Sequence, residues 1–264
     1  MLIFLKLGGS LITEKEKPFT ARIEIIKRIG QEILSALKTS DHLEMIIGHG
    51  SGSFGHYAAK DLGTRQSVST QTQWLGFQKV WYAAHSLNNI VVQAFSELGL
   101  PAITFSPSSA ITTTNRRIIN WNTKPIRSSI KNGLIPIIYG DVVLDEELGG
   151  IILSTEDLFF HLINDFNPEK ILISGKEDGV WLDYSSKEKL IPLINSENIK
   201  HYSQHISPSN SIDVTGGMQE KVKLMLSIAQ SHPNVLIEIF SGEKTDNIYR
   251  ALRGEQLGTR VAAT

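Results

Sequence analysis

Met45-Ile46-Ile47-Gly48-His49-Gly50-Ser51-Gly52-Ser53-Phe54-Gly55-His56-Tyr57-Ala58-Ala59-Lys60 joins a short apolar run to a helix-like segment through a turn rich in glycine. A strand, a glycine turn and a helix start together bring backbone N–H groups close to an anion, and the helix dipole favours negative charge there. Gly50 to Gly55 also matches G-x-G-x-x-G, the dinucleotide fingerprint. That fingerprint needs an acidic residue about 20 positions later, at the end of a second strand. Ser67 to Gln73 offers neither acid nor strand, and an earlier strand carries a glycine turn of its own, so the dinucleotide reading is set aside. No G-x-x-x-x-G-K-[ST] occurs, which excludes a P-loop.

Upstream of this stretch, Leu2 to Lys6 reads as a buried strand running into Gly8-Gly9-Ser10. Ala21 to Thr39 is helical, with Ile23, Ile26, Ile29, Ile33 and Leu37 at helical spacing. Downstream, Thr70 to Leu98 is a long helix, Leu100 to Phe105 a strand and Pro107-Ser108-Ser109 a turn. Thr112 to Thr123 reads as a loop or small hairpin in which Ile118 and Ile119 pair. Ser128 to Gly133 is a short helix, and Leu134 to Tyr139 a strong strand ending in Gly140-Asp141. Thr155 caps a helix from Glu156 to Ile163; Ile171 to Ile173 is a strand ended by Ser174-Gly175. Gly179 to Leu182 is an edge piece, and Ser185 to Ser211 is polar and irregular. Thr215-Gly216-Gly217 opens a helix to Gln230, followed by a strand at Val235 to Phe240 and a helix at Asp246 to Leu252. Strands alternating with helices predict an α/β fold with an open, mostly parallel central sheet sandwiched by helices. A soft boundary falls near Leu144 to Leu153, a turn-rich connection. It divides the chain into lobes 1–150 and 151–264 on one continuous sheet.

The composition excludes several function classes. The 264 residues are 41% hydrophobic, enough for a substantial core. Lys plus Arg (26) nearly balances Asp plus Glu (27), so nothing in the charge asks for nucleic acid. There are no cysteines, which rules out disulfides, thiolate metal sites and cysteine nucleophiles. No stretch approaches the roughly 18–20 apolar residues of a membrane span. The expectation is a soluble cytoplasmic protein.

Glycines or small residues sit at four strand ends or helix starts: Gly8-Gly9-Ser10, Gly48 to Gly55, Ser174-Gly175 and Thr215-Gly216-Gly217. Ligands in open α/β sheets bind at the carboxyl ends of the strands. Two of the four turns have a lysine nearby, which points to a polyphosphate site. Lys6 is either a snorkelling edge lysine or a cation aimed at a phosphate. Lys221, near a helix start, is either a surface lysine or one relieved by a bound anion. Lys15 and Lys17 lie in a polar loop. Asp157 at a helix start is favoured by the dipole whatever else it does, and Asp141 stands just after a strand. His56 is a ligand or an incidental first-turn histidine, and His49 is flanked by glycines. Phe77, Val80, Trp81, Ala84 and Leu87 form a helical stripe, either core or the lining of an apolar cavity.

Lys6-Leu7-Gly8-Gly9-Ser10-Leu11-Ile12-Thr13 resembles the opening of the amino acid kinase superfamily. Asp213-Val214-Thr215-Gly216-Gly217-Met218, with Lys221 following, is similar to that superfamily's second lysine motif. Gly50 to His56 resembles the signature of isopentenyl phosphate kinases and the related fosfomycin kinases. So do Leu87 to Val92, Pro107 to Ser109, Tyr139 to Val143 and Gly258 to Val261 for isopentenyl phosphate kinases, in order along the chain. The resemblance implies an amino acid kinase fold and transfer of the ATP γ-phosphoryl group, with Mg²⁺, to isopentenyl phosphate. Lys6 and Lys221 would meet the transferring group, Lys15 the ATP phosphates and His56 the acceptor phosphate, with Asp157 positioning the lysines. Gly8, Gly9, Ser10, Ser174, Gly175, Asp178, Gly216 and Gly217 would complete the ATP site. Gly50, Ser51, Gly52, Ser53, Gly55, Tyr139, Gly140 and Asp141 would hold the acceptor, with Phe77, Val80 and Trp81 around its tail. No metal ligand is assigned to the protein. Residues 1–150 become the acceptor lobe and 151–264 the ATP lobe, and a homodimer paired through helices follows by analogy.

Two departures stand out: Thr155-Glu156-Asp157 in place of Gly-Asp-Asp, and Lys176-Glu177-Asp178-Gly179-Val180 in place of an Asp-Val-Asp-Gly-Val type run. Rival readings are a kinase of the same fold acting on fosfomycin, an amino acid or a nucleoside monophosphate, and a non-catalytic nucleotide-binding protein. A phosphate acceptor, with its second pKa near about 6, is already mostly dianionic and needs no general base. That agrees with a sequence rich in anion donors and poor in candidate bases.

Overall fold

The computed structural model describes residues 1–40, 42–60, 67–183, 186–203 and 217–264; for His56, Ala59, Lys60 and Ser203 it describes the backbone alone. The first half of the chain runs β1 (Leu2–Leu7), α1 (Gly9–Ile12), α2 (Ile23–Lys38), β2 (Glu44–His49), α3 (Gly52–Lys60), α4 (Gln71–Glu97), β3 (Ala102–Thr104), α5 (Pro107–Ala110), β4 (Ile111–Thr114), β5 (Arg117–Trp121), α6 (Lys124–Lys131), β6 (Ile135–Tyr139) and β7 (Asp141–Asp145). It continues with β8 (Gly149–Leu153), α7 (Thr155–Phe166), β9 (Lys170–Gly175), β10 (Leu193–Ile194), α8 (Ile199–Ser203), α9 (Gly217–Ser231), β11 (Leu236–Ser241), α10 (Asn247–Leu252) and β12 (Thr259–Val261).

β1 is apolar on both faces, as a strand inside a parallel sheet must be, and it is buried from Ile3 onward. It lies at the centre of an eight-stranded sheet ordered β10-β12-β11-β9-β1-β2-β6-β3. Its neighbours β2 and β9 both run parallel to it, and β11 with β12 is the antiparallel pair of this sheet. Strand alternation sends Ile3, Leu5 and Leu7 to one face and Phe4 and Lys6 to the other. On the first face they join Ile26, Ile29 and Ile33 of α2 and Leu87 and Val91 of α4. On the second, the Phe4 ring lies 5.0 Å from that of Phe159 in α7, in one core with Val222 and Met225 of α9. Each such aliphatic or aromatic side chain contributes about 1.5–3 kcal/mol by leaving water. Lys6 therefore points toward the α7 side of the sheet. The expected helical stripe of α2 is buried at Ile26, Ile29 and Ile33, while Ile23 at its start is exposed.

A second, four-stranded sheet runs β5-β4-β7-β8. The expected soft boundary at Leu144 to Leu153 is here the turn and return strand of the β7–β8 hairpin, and position 150 falls inside β8. The sequence reads as a loop because Asp145-Glu146-Glu147 is polar, yet Asp145 organises the corner. Its carboxylate accepts hydrogen bonds from Thr113 Oγ1 and from the N–H groups of Asn115, Arg116, Glu147 and Leu148. Burial pulls the Asp145 carboxyl up, but these hydrogen bonds outweigh it and hold the group down at about 2. Of the two readings of Thr112 to Thr123, loop or small hairpin, the structure has the hairpin: β4 and β5, turned by Asn115 and Arg116 at positive φ.

Smaller differences have local causes. Pro107 to Ser109 forms the short helix α5, with Pro107 pre-set for a first helical position. Gly179 to Leu182 contributes an isolated bridge, Trp181 with Leu190. The polar stretch after Ser185 contains β10 and α8. Ser154, not Thr155, caps α7: its hydroxyl accepts from the Asp157 N–H.

Candidate active site

The carboxyl ends of β1, β2, β6 and β9 meet at one edge of the central sheet. Gly8 N–H donates to Ser174 O at 2.8 Å, Gly50 N–H to Leu7 O at 3.0 Å and Gly140 N–H to His49 O at 3.0 Å. The glycine turns therefore lie side by side. Their backbones approach too closely for a side chain: a Cβ on Gly8 would lie 2.8 Å from Ser174 O, and one on Gly9 2.6 Å from Gly52 Cα. Gly52 also has φ +50, and Gly217 opens α9 at φ +70. Three of the four turns singled out in the sequence, at Gly8-Gly9, Gly50 to Ser53 and Ser174-Gly175, are brought together here, with Gly140 beside them; Thr215 and Gly216 of the fourth lie outside the described residues. Ser174 is buried and its hydroxyl donates to Lys6 O at 2.7 Å. Ser53 is buried too, and its Oγ has no hydrogen-bond partner among the described residues. Buried polar atoms are nearly always paired, so this hydroxyl is a candidate donor to something bound in the cradle.

Lys6 is 5% exposed and forms a direct ion pair with Glu156 of α7, itself 3% exposed. Burial pulls the Glu156 carboxyl up, but the charges of Lys6 and then Lys221 outweigh it and leave the group below the ordinary carboxylate range. Lys6 is thus in contact with a buried carboxylate that also feels the charge of Lys221. Lys221 is half-buried in the first turns of α9. With Glu156, Asp157, Ser154 and Arg116 it lines a cavity of about 390 Å³.

Asp157, expected to position the lysines, lines the cavity with Lys221 but is engaged by Ser154. Asp157 Oδ2 accepts from Ser154 N–H at 2.8 Å and Ser154 Oγ at 2.7 Å, which completes a capping box. The lysine partner is Glu156, one residue earlier. Helical spacing carried that signal: Glu156 falls on the buried face with Phe159 and Ile163, three and seven residues on, whereas Asp157 aligns with exposed Phe160.

The other expected site residues divide between surface, core and support. Gly55 and Ser51 lie in or just before α3, as does the backbone of His56, whose side chain is outside those described. Gly216 lies outside the described residues. Ser10 and Lys15 are exposed beside the β1 turn, and Asp178 forms a surface ion pair with Lys244 at 2.7 Å. Tyr139 and Asp141, expected to touch the acceptor, are both buried. The Tyr139 ring stacks on His49 at 5.4 Å and its hydroxyl pairs with Ser106 Oγ at 2.8 Å. Burial, then the Asp141 charge, push its phenol up to about 12. Asp141 accepts from Ser108 N–H and Val142 N–H, and burial pushes its carboxyl up to about 6. Both residues brace the Ser106–Ser108 segment.

In the expected tail-lining stripe, Val80 is core, while Phe77 and Trp81 are half-buried. Phe77 packs on Trp74 at 5.3 Å and over Gly150 of β8; Trp81 stacks on His85 at 5.4 Å. His49, left open by sequence, is fully buried. Its Nε2 lies 3.3 Å from Asn88 Oδ1 and its Nδ1 3.2 Å from Gly50 O. Burial lowers its ring to about 4, so it is neutral near pH 7. Among the described residues, no group of three or more His, Asp or Glu side chains is arranged to hold a metal. No helix among them is long and apolar enough to cross a membrane.

The family model described as "Amino acid kinase family" matches residues 1–238. The chain belongs to the amino acid kinase family. The isopentenyl phosphate kinase of Methanocaldococcus jannaschii is 33% identical over 270 residues, covering 99% of this chain and 98% of that protein. The isopentenyl phosphate kinase of Methanothermobacter thermautotrophicus is 32% identical, covering 98% of each. Crystal structures of an isopentenyl phosphate kinase superpose with a TM-score of 0.83 at 30% identity, covering 99% of this chain and all of the other. The eight-stranded sheet with helices on both faces is thus the amino acid kinase fold.

Proposed function

We propose that the chain transfers the γ-phosphoryl group of ATP to isopentenyl phosphate, giving isopentenyl diphosphate and ADP. The observation that carries this reading is the buried Lys6–Glu156 ion pair, with Glu156 and Lys221 lining one cavity, set beside two glycine turns in contact. Its specificity for the acceptor rests on the likeness to the isopentenyl phosphate kinases. Phosphoryl transfer is mostly positioning and charge stabilisation. An oxygen of the acceptor phosphate forms a bond to the γ-phosphorus, and the bond to the β-phosphate bridging oxygen breaks. Charge gathers on the phosphoryl oxygens, where Lys6 and Lys221 act; Glu156 holds Lys6 in place and its charge offsets the repulsion between the two lysines. The acceptor is dianionic near neutral pH, so no general base is required.

In this reading the Gly8-Gly9-Ser10 and Ser174-Gly175 turns, Gly217 and Lys15 face the ATP phosphates. The Gly50–Gly55 cradle, with the Ser53 hydroxyl and His56, faces the acceptor phosphate. Residues 1–150 form the acceptor lobe and 151–264 the ATP lobe, with Lys6 reaching across. Phe77 and Trp81 border the isoprenoid tail. Mg²⁺ would be held by the ATP phosphates, since the described side chains offer no cage of their own. Two copies pair through α4, which leaves Leu75 and Tyr82 exposed on one face, seven residues apart. The test is ADP release across isopentenyl, dimethylallyl and geranyl phosphates and fosfomycin. Isopentenyl phosphate should give the highest kcat/KM; a preference for fosfomycin would overturn the acceptor.

A further inference from the structure

We propose that Thr13 is a positioning residue that sets the separation of donor and acceptor phosphates. This inference rests on the reading above, in which the β1 turn faces ATP and the β2 turn faces the acceptor. Thr13 ends α1 and is fully buried. Its hydroxyl donates to Gly9 O at 2.7 Å and accepts from Ser53 N–H at 3.0 Å. One side-chain oxygen therefore ties the carbonyl of one glycine turn to the first-turn N–H of the helix that follows the other. The clasp closes where the two backbones touch: a Cβ on Gly52 would lie 2.5 Å from Gly9 O. Ser53, whose N–H the clasp holds, also carries the unpartnered buried hydroxyl of the cradle.

In-line transfer requires reacting atoms roughly 3–3.5 Å apart, and a displacement of about 1 Å can lower the rate about 100-fold. A clasp between the two turns acts on that separation without touching either substrate. Valine has the shape of threonine and lacks the hydroxyl, so Thr13→Val removes the clasp and leaves the Ser53 N–H without its acceptor. Gly9 O keeps its bond from Thr13 N–H at 3.0 Å, so α1 retains its last turn. Thr13→Ser keeps both hydrogen bonds.

The experiment measures kcat and KM, calorimetric Kd values for ATP and for isopentenyl phosphate separately, and urea midpoints, for wild type, T13S and T13V. T13V should lose about 100-fold in kcat while each Kd changes by less than about 3-fold. T13S should stay within about 3-fold of wild type in every measure. Thr13→Ala carries the expectation of T13V should the valine variant not fold. A T13V or T13A enzyme at wild-type kcat would overturn the role. So would a kcat loss matched by lost affinity for both substrates, or a T13S enzyme as impaired as T13V. A wild-type enzyme that does not phosphorylate isopentenyl phosphate would instead sink the functional reading, and that result appears before any variant is compared.

Discussion

Replacing Glu156 by Gln removes the negative charge shared by Lys6 and Lys221 while keeping the side chain's shape. In the native protein Lys6 and Glu156 are both nearly inaccessible to water and in direct contact. Removing one partner of a buried ion pair leaves the other charge uncompensated, which costs about 3–5 kcal/mol. Lys221, whose charge also acts on Glu156, then loses that offsetting negative charge. Asp157→Asn is the control one residue away. Among the described residues Asp157 accepts only from Ser154, at the start of α7, so the loss there is at most about 1 kcal/mol, the scale of a helix cap. Urea midpoints at pH 7 measure both losses. Steady-state kinetics should show kcat falling at least about 100-fold in E156Q, where the cations are no longer held at the transferring group. D157N should stay within about 10-fold. An Asp157→Asn enzyme as unstable and as slow as Glu156→Gln would refute the assignment of the lysine partner to Glu156.

Other expected outcomes follow from the same geometry. His56→Ala should lose roughly 10- to 100-fold in kcat/KM for isopentenyl phosphate, the scale of one charge-assisted hydrogen bond, with calorimetric ATP affinity unchanged; a parallel loss of ATP binding would contradict its place on the acceptor. Gly52→Ala should destabilise by more than about 1 kcal/mol, because φ is +50 and the new Cβ meets Gly9 O; a wild-type urea midpoint would count against the contact between the turns. The two buried titrating groups should oppose each other in acid. His49 is neutral in the fold, lowered from 6.5 to about 4, so its contribution is present above pH 6.5 and lost as pH falls toward 4. Asp141 is raised from 3.8 to about 6, so its contribution is present below pH 3.8 and lost as pH rises through 6. Each amounts to about 3 kcal/mol at 1.36 kcal/mol per pKa unit. The wild-type urea midpoint should therefore vary little between pH 4.5 and 6, whereas Asp141→Asn should lose stability steeply as pH falls through that range. A flat Asp141→Asn profile would show that the two contributions do not cancel.

What the sequence made legible follows from where each signal is stored. Strands β1, β2, β6 and β9 announce themselves as continuous apolar runs, because a central parallel strand is buried on both faces. Their glycine ends are equally visible, and at Gly8, Gly9, Gly50 and Gly52 the close approach of backbone leaves no room for a side chain. Of the four-stranded sheet, the sequence offered the β4–β5 hairpin only as an alternative to a loop, and the sheet itself was not legible. β4 and β5 are short and half-polar, and the Asp145 corner that joins β4 to β7 is made by one carboxylate collecting N–H groups from two hairpins. Within the site, Lys6 and Lys221 could be singled out as cations near glycine turns. Choosing Glu156 over Asp157 required the phase of α7 relative to the sheet. The burial of Tyr139 and Asp141 was hidden for a related reason: their partners, His49, Ser106 and Ser108, are supplied by distant segments. Thr13 carries no local mark at all, since its role exists only where two turns far apart in sequence come into contact.

The most direct test of the central claim is ³¹P NMR of the purified protein with ATP, Mg²⁺ and isopentenyl phosphate. The account predicts that the monophosphate resonance is replaced by the paired resonances of isopentenyl diphosphate, in step with conversion of ATP to ADP. Unconsumed isopentenyl phosphate, with ATP intact or hydrolysed to ADP and inorganic phosphate, would contradict it.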